Sequence, residues 1–325
     1  MSKSNTLSAI LGERYSQRKA LGDALVMLGE ENPNLFVLSP DVGSSTNAIK
    51  FQTNYQDRYV CTGIAEMNTV GIAAGLAYMD FIPVVVGYAI FITGKAWEPF
   101  RNSVAYPHLN VKLVCTHAGI NVGPDGATHQ AIEDLALMHS IPGVHIFVPG
   151  DAQQVLASLR RALSVDGPVY IRLEREPIPQ LLTAKPSQYL DDQYEIFQKG
   201  EIAILAIGGM VEPAVKAAVT LKQECGQDIR VICVTTLKPL NTEKLIQSLE
   251  GVQGIVTAED HNIFGGFGSF IAETLAKFKP LPMEMVGLQD VFGCSDSATN
   301  LKYHYGLTSR HIIEAVQSLQ FRIKG

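Results

Sequence analysis

Val111-Lys-Leu-Val-Cys115, followed after Thr116 by His117-Ala-Gly-Ile-Asn-Val-Gly-Pro-Asp-Gly-Ala-Thr-His-Gln130, is the stretch on which the architecture turns. The first segment is short, apolar and rich in β-branched character, as a buried strand of a parallel sheet is. The second gathers two imidazoles and a carboxylate on a chain broken by Gly119, Gly123 and Gly126. Polar groups that follow a buried strand directly fall at its carboxyl end, where open α/β sheets bind ligands. The glycines let the chain bend sharply and bring its amides close to a bound molecule. Asp125 and His129 stand four apart, so a helix is expected to begin there. Alone, Asp125-Gly126 reads as an Asx turn before a helix. With His117 and Thr128-His129 beside it, the stretch reads as a site.

Apolar runs alternate with helical patterns on either side of it. Leu35-Phe-Val-Leu38, Pro83-Val-Val-Val86, Val144-His-Ile-Phe-Val148 and Val169-Tyr-Ile-Arg-Leu173 are further strand candidates. Such alternation predicts an α/β fold with a parallel sheet covered by helices on both faces. From Glu176 to Lys199 the chain turns proline-rich and polar, which is linker composition. A second alternation follows with Ile202–Ile207, Ile229–Val234, Gly254–Thr257 and Pro282–Val286. Two doubly wound domains are therefore expected, at residues 1–180 and 200–325, joined by a linker at 181–199.

The 325 residues suffice for two such cores at the usual ~150 residues each. With 46% hydrophobic and 18% charged residues, the composition is that of a globular chain. A net charge of −6 argues against nucleic acid or an anionic membrane as the main partner. The N-terminus lacks an apolar signal core, and no run approaches the ~20 apolar residues of a membrane span, so a cytoplasmic protein is expected. Five cysteines, at 61, 115, 225, 233 and 294, form no C-x-x-C pair. Reduced structural thiols in mostly apolar surroundings are expected of them. His108, His139 and His145 lack partners at metal-ligand spacing, and no metal site is assigned to the chain.

A second cluster makes the first legible. Cys61-Thr-Gly-Ile-Ala-Glu66-Met-Asn leads into Val70-Gly-Ile-Ala-Ala-Gly-Leu-Ala77, a small-residue helix suited to close packing. Together with the segment from His117 to His129, with Pro149-Gly-Asp151 and with Leu173-Glu-Arg175, it resembles the pyrimidine-binding half of the transketolase family. Gly-Glu201-Ile-Ala-Ile and Ala258-Glu-Asp-His-Asn-Ile-Phe-Gly-Gly extend the resemblance into the second half. It implies a pyrimidine-binding domain followed by a transketolase C-terminal domain, and thiamine diphosphate as cofactor. Full-length members hold the diphosphate and Mg²⁺ on another domain, through Gly-Asp-Gly and a later Asn. That pattern is not found here, nor is a Gly-x-x-x-x-Gly-Lys-Ser/Thr or Gly-x-Gly-x-x-Gly loop. The expectation is the C-terminal subunit of a split transketolase, inactive alone. An N-terminal partner would bring the diphosphate and magnesium site, in an α₂β₂ heterotetramer with the cofactor at an interface.

The resemblance also assigns roles. Glu66 would hydrogen-bond N1′ of the aminopyrimidine, and Tyr88, where phenylalanine is more usual, would stack with Phe91 about that ring. His129 and Asp125 would hold sugar hydroxyls beside the broken bond, with His117 nearer the acceptor end. A neutral imidazole both donates and accepts, which suits orienting a hydroxyl and relaying a proton. Arg18, Ser45 and Arg175 match phosphate-binding positions, and arginine's planar fork fits a phosphate oxygen pair. Glu174 stands where serine is common, and its charge beside Arg175 leaves the anion's identity open. His261 suggests an interface without a catalytic role, and Asp41 a support for the pocket or a dimer contact.

The implied reaction moves a two-carbon ketol unit from a ketose phosphate to an aldose phosphate. The β subunit of a 2-oxo acid dehydrogenase has nearly the same length and domains, but His117 and the Asp-Gly-Ala-Thr-His-Gln string are typical of sugar-handling members. Deoxyxylulose phosphate synthase usually carries arginine at the His117 position. A silent regulatory subunit would have no need of Glu66, Asp125 and His129.

Overall fold

A computed structural model describes residues 7–184, 188 and 191–324. The chain forms strands β1 (Leu11–Tyr15), β2 (Leu35–Ser39), β3 (Tyr59–Cys61), β4 (Ile82–Tyr88), β5 (Lys112–Thr116), β6 (His145–Phe147), β7 (Val169–Arg172) and β8 (Ile178–Leu181), of which β2, β4, β5, β6 and β7 are the expected apolar runs. They continue with β9 (Gln193–Phe197), β10 (Ile202–Ala206), β11 (Arg230–Val234), β12 (Thr236–Lys238), β13 (Gly254–Asn262) and β14 (Met283–Leu288). The first sheet has the order β12-β6-β7-β5-β4-β2-β3, with β2 to β7 mutually parallel and β12 antiparallel at the edge. The second has the order β14-β13-β10-β11-β9, parallel except for β9. All five residues of β5 and of β10 are buried, because helices cover both faces of each sheet.

Three apolar clusters hold the layers together. Leu21, Leu25 and Leu28 of the helix Gln17–Glu31 pack with Val155 and Leu159 of the helix Gln153–Ser164 on one face of the first sheet. On the other face, Val70, Ala73 and Ala74 of the helix Glu66–Tyr78 join a cluster that continues through Leu205, Ile232, Phe267 and Ile271. This core therefore crosses from one sheet to the other. The third lies under the helices Val211–Cys225 and Ser309–Lys324. The proline-rich stretch is structured at both ends, where β8 pairs antiparallel with β1 and β9 with β11.

Two expectations are corrected. No helix begins at Asp125: the residues Ile120–Asp125 form a 3-10 turn, His129 sits in the next turn, and the following helix starts at Asp134. Gly119, Gly123 and Gly126 all have positive φ, which breaks helical propagation on both sides of Pro124. Of the cysteines, only Cys115 and Cys233 are buried, while Cys61, Cys225 and Cys294 are exposed. All five are free thiols. Among the described residues, no helix is long and apolar enough to cross a membrane. Nor do three or more His, Cys, Asp or Glu side chains converge there as metal ligands.

Candidate active site

The sequence-selected side chains converge at the carboxyl ends of the parallel strands. Ser45 follows β2, Glu66 follows β3, Tyr88 ends β4 with Phe91 one turn on, and Arg175 follows β7. His117, Asp125 and His129 lie on the loop after β5, and Arg18 reaches in from the first turn of Gln17–Glu31. Parallel strands bring these ends together because every crossover returns the chain to the same edge.

Glu66 opens its helix and is 6% exposed. The Lys95 ammonium donates to Glu66 Oε2 at 3.3 Å and sits 4.6 Å from the Phe91 ring centroid. Tyr88 and Phe91 stack with centroids 6.1 Å apart and planes 30° apart. His117 lies 4.0 Å from the Tyr88 ring, and His129 meets Phe91 edge-on at 5.2 Å. The carboxylate thus adjoins a flat wall with one imidazole on each aromatic ring.

The other flank is a hydrogen-bond chain. Tyr88 Oη donates to Ser45 Oγ at 2.8 Å, and Ser45 Oγ donates to the Val42 carbonyl at 3.0 Å. Arg18 donates through Nη1 to the Ser45 carbonyl at 2.8 Å and through Nε to the Arg175 carbonyl at 3.0 Å. Arg175 donates to the Val122 carbonyl and lies 3.7 Å from Asp125 Oδ1. All nine candidates, Arg18, Ser45, Glu66, Tyr88, Phe91, His117, Asp125, His129 and Arg175, thus belong to one contact network.

His117 is 2% exposed, has φ 61°, and shares a 2.7 Å hydrogen bond with Thr116 Oγ1 through Nδ1. Burial pushes its pKa down to about 3, aided by the charges of Arg18, Arg175 and His129. It is a neutral imidazole at physiological pH. Arg18 is also pulled below its ordinary value, by burial and by Arg175.

The Glu174 carboxylate is committed to a buried junction. Its Oε1 accepts from Gly209 N at 2.9 Å and its Oε2 from Asn121 Nδ2 at 2.6 Å, so it ties the β5 loop and the end of β7 to the segment after β10. One backbone and one side-chain amide, both buried, thus occupy the two oxygens, which suits a junction carboxylate better than a sugar ligand. His261, fully buried, accepts from Leu135 N through Nε2 at 3.2 Å and donates from Nδ1 to its neighbour's carbonyl, Asn262 O, at 2.6 Å. That pairing fixes a neutral tautomer, and burial lowers its pKa to about 4. Asp41, with φ 59°, stands 3.9 Å from Cys61 Sγ, beyond a strong hydrogen bond.

Several site residues were invisible to the motif reading. Lys95 lies on the helix Ala89–Lys95, four positions beyond Phe91, and this i,i+4 spacing is the signal that places it on the same face. Asp260 accepts from Ile120 N at 2.9 Å and Asn121 N at 3.2 Å, anchoring the site loop from the second sheet. Arg172, 2% exposed, donates to Asp134 Oδ2 at 2.8 Å and to the Asp260 carbonyl at 2.8 Å. These pairings span 38 and 88 residues, so local spacing carries no trace of them.

Fold and site together define a two-domain α/β protein with its polar centre at the carboxyl edge of the first parallel sheet. Residues 13–180 match the transketolase pyrimidine-binding domain, and residues 195–312 match the transketolase C-terminal domain. A provisionally named transketolase C-terminal section of Methanocaldococcus jannaschii is 37% identical over 309 residues, which are 94% of this chain and 96% of that protein. A 6-deoxy-6-sulfo-D-fructose transketolase subunit of a Clostridium species is 33% identical over 310 residues, 95% of this chain and 96% of that one. A split-gene transketolase solved as an inactive β4 tetramer superposes with a TM-score of 0.84 at 40% identity, covering 94% of this chain and 98% of that one. The chain belongs to the transketolase family, whose pyrimidine-binding and C-terminal domains it carries.

Proposed function

We propose that this chain is the C-terminal subunit of a split, thiamine-diphosphate-dependent transketolase, active together with an N-terminal subunit that holds the diphosphate and Mg²⁺. The observation that carries this reading is Glu66: a carboxylate 6% exposed, beside the stacked pair Tyr88 and Phe91. A flat apolar wall with one buried carboxylate fits an aminopyrimidine, whose ring needs stacking and whose N1′ needs one strong acceptor. When bound, the cofactor would supply the nucleophilic and electron-accepting chemistry of two-carbon transfer.

This chain's residues then have defined work. Glu66 holds the ring nitrogen and its proton, which sets the reactive tautomer. Tyr88 and Phe91 orient the ring and exclude water. His117 and His129, set against the two rings, would hold the sugar hydroxyls and take or return a hydroxyl proton as the adjacent carbon–carbon bond breaks or forms. Asp125 orients a hydroxyl, and Arg18 with Arg175 receives the terminal anion of the sugar. Ser45, expected at the phosphate, has its proton on the Val42 carbonyl and one lone pair on Tyr88 Oη, so the lone pair left over suits a donating hydroxyl of the sugar rather than a phosphate oxygen. A sulfonated sugar in the name of one relative and a phosphate in that of an apulose-4-phosphate transketolase subunit from Actinobacillus succinogenes, 30% identical, support a ketose with a terminal anion as donor.

The partner and the α₂β₂ assembly are supported by an open surface. Met67, Gly71, Gly75 and Tyr78 form an exposed stripe on the helix that Glu66 begins, and Gly71 and Gly75 face open space. Ile64, 78% exposed, continues it beside the carboxylate. An uncovered stripe of this kind suits close helix packing against another subunit. The inactive β4 assembly of a split-gene relative is the state expected of such a subunit without its partner.

The test is coexpression with the neighbouring reading frame and a ketol-transfer assay with thiamine diphosphate, Mg²⁺, xylulose 5-phosphate and ribose 5-phosphate. Activity confined to the two-chain complex supports the reading. Decarboxylation of a 2-oxo acid by the complex would move the chain to the dehydrogenase β subunits. A complex whose activity ignores thiamine diphosphate would make it a silent subunit.

A further inference from the structure

Lys95 has no part in the chemistry above, yet it occupies the centre of the cofactor-facing surface. Its ammonium lies 3.3 Å from Glu66 Oε2 and 4.6 Å from the Phe91 ring centroid. It is the one cation paired with Glu66 among the described residues. The two partners differ in exposure, with 53% of the Lys95 side chain in water against 6% for Glu66.

That asymmetry has a physical consequence. A carboxylate withdrawn from water is costly without a hydrogen-bonded partner, so Glu66 depends on what stands beside it. An aminopyrimidine bound to Glu66 against Phe91 would need the volume and the acceptor that the ammonium now uses. Lysine is suited to yield both, because its head is strongly hydrated and its four-carbon stem is flexible. Lys95 also ends its helix, so its head has solvent on the open side.

We infer that Lys95 is a stand-in counter-ion, neutralising Glu66 and covering Phe91 in the free subunit and swinging into solvent when the cofactor binds. This rests on the thiamine reading above. Lys95 is thereby a positioning residue that competes with the cofactor and makes no bond to it.

The test uses the two-chain complex titrated with thiamine diphosphate and Mg²⁺ by equilibrium dialysis, comparing wild type, Lys95→Met and Lys95→Arg. Removing the competitor should lower the cofactor Kd about two- to fivefold, the range of a half-exposed ion pair. Arginine, whose fork grips a carboxylate through two parallel bonds, should raise it by a similar factor. An unchanged Kd in Lys95→Met overturns the inference and leaves an ordinary surface lysine. A raised Kd in Lys95→Met that Lys95→Arg restores also overturns it, by making Lys95 a cofactor ligand. If wild-type complex binds no thiamine diphosphate, the functional reading falls and the inference with it. Binding that ignores Lys95 removes the inference alone. In the isolated chain, Lys95→Met should lower the Tm, and adding Glu66→Gln should recover it, because an amide needs no counter-ion. A Tm that falls further in the double variant contradicts the counter-ion role.

Discussion

Glu66 and His117 are the two buried members of the nine candidates. Glu66 keeps its carboxylate out of water with a single flexible cation for company, and glutamine would preserve its shape while removing the charge. In the two-chain complex, Glu66→Gln should reduce ketol transfer by about 10²- to 10⁴-fold, the usual span for a lost proton-handling group. Unfolding curves should stay close to wild type, and wild-type turnover would refute the assignment. His117 carries a pH signature. Its folded pKa of about 3 lies below the ordinary 6.5 of an unfolded histidine, so the unfolded chain binds the extra proton first. Its stabilising contribution is complete above pH 6.5 and declines as the pH falls from there toward 3. The slope is on the order of 1 kcal/mol per pH unit at most. His117→Asn should therefore show a shallower loss of Tm between pH 7 and pH 5 than wild type, and equal slopes would contradict the neutral-imidazole assignment.

The site loop is an element held from outside itself. Gly119, at φ 70°, leaves no room for a side chain, since a Cβ there would lie 2.3 Å from the Asp260 carboxyl carbon. Asp260 must approach that closely to accept the amides of Ile120 and Asn121. Burial, and the neighbouring Glu174, raise the Asp260 pKa to about 6, against the pull of those amides. Glu174 completes the clamp through Asn121 and Gly209. Glu174→Ala would strand both donors in a buried junction, a cost of about 1–3 kcal/mol. The expected result in urea denaturation is a lower midpoint, with the complex's KM for a phosphosugar little changed. A large KM effect without lost stability would return Glu174 to the anion site.

On the scale of the whole molecule, the domains are fused along one edge and open along another. The Leu205, Ile232 and Phe267 side chains share a core with Val70 and Val85, and β12 extends the first sheet from the second domain's chain. Arg172 and Asp134 seal the seam, both essentially out of water: Asp134 Oδ2 accepts from Tyr170 Oη and Arg172 Nε, and Arg172 also donates to the Asp260 carbonyl. The open edge is the helix face of Met67, Gly71, Gly75 and Tyr78. Gly71→Leu places its side chain in empty space within the chain, and removing a helix-interior glycine should stabilise the isolated subunit by up to ~1 kcal/mol. The same change should block assembly, seen as lost partner capture and lost activity together with an unchanged or higher subunit Tm. Full assembly by that variant would place the subunit interface elsewhere.

Much of this was legible from residues alone. The positions of β2, β4 to β7, β10, β11, β13 and β14 followed from apolar β-branched runs, because burial on both faces of a parallel sheet demands them, whereas β1, β3, β8, β9 and β12 carry no such run. The nine candidates were picked out by their match to family positions, and they converge because loops at one sheet edge meet by topology, whatever the side chains between them. The expected helix at Asp125 failed because backbone conformation at Gly119, Gly123 and Gly126 outweighed a four-residue spacing. Lys95, Asp260, Arg172 and the true direction of Glu174 emerged only in three dimensions. Each is defined by a partner on another element, as with Asp260 and Ile120, 140 residues apart. Periodicity records which face a residue occupies, whereas charge pairing between elements depends on how those faces are brought together, and tertiary packing alone decides that.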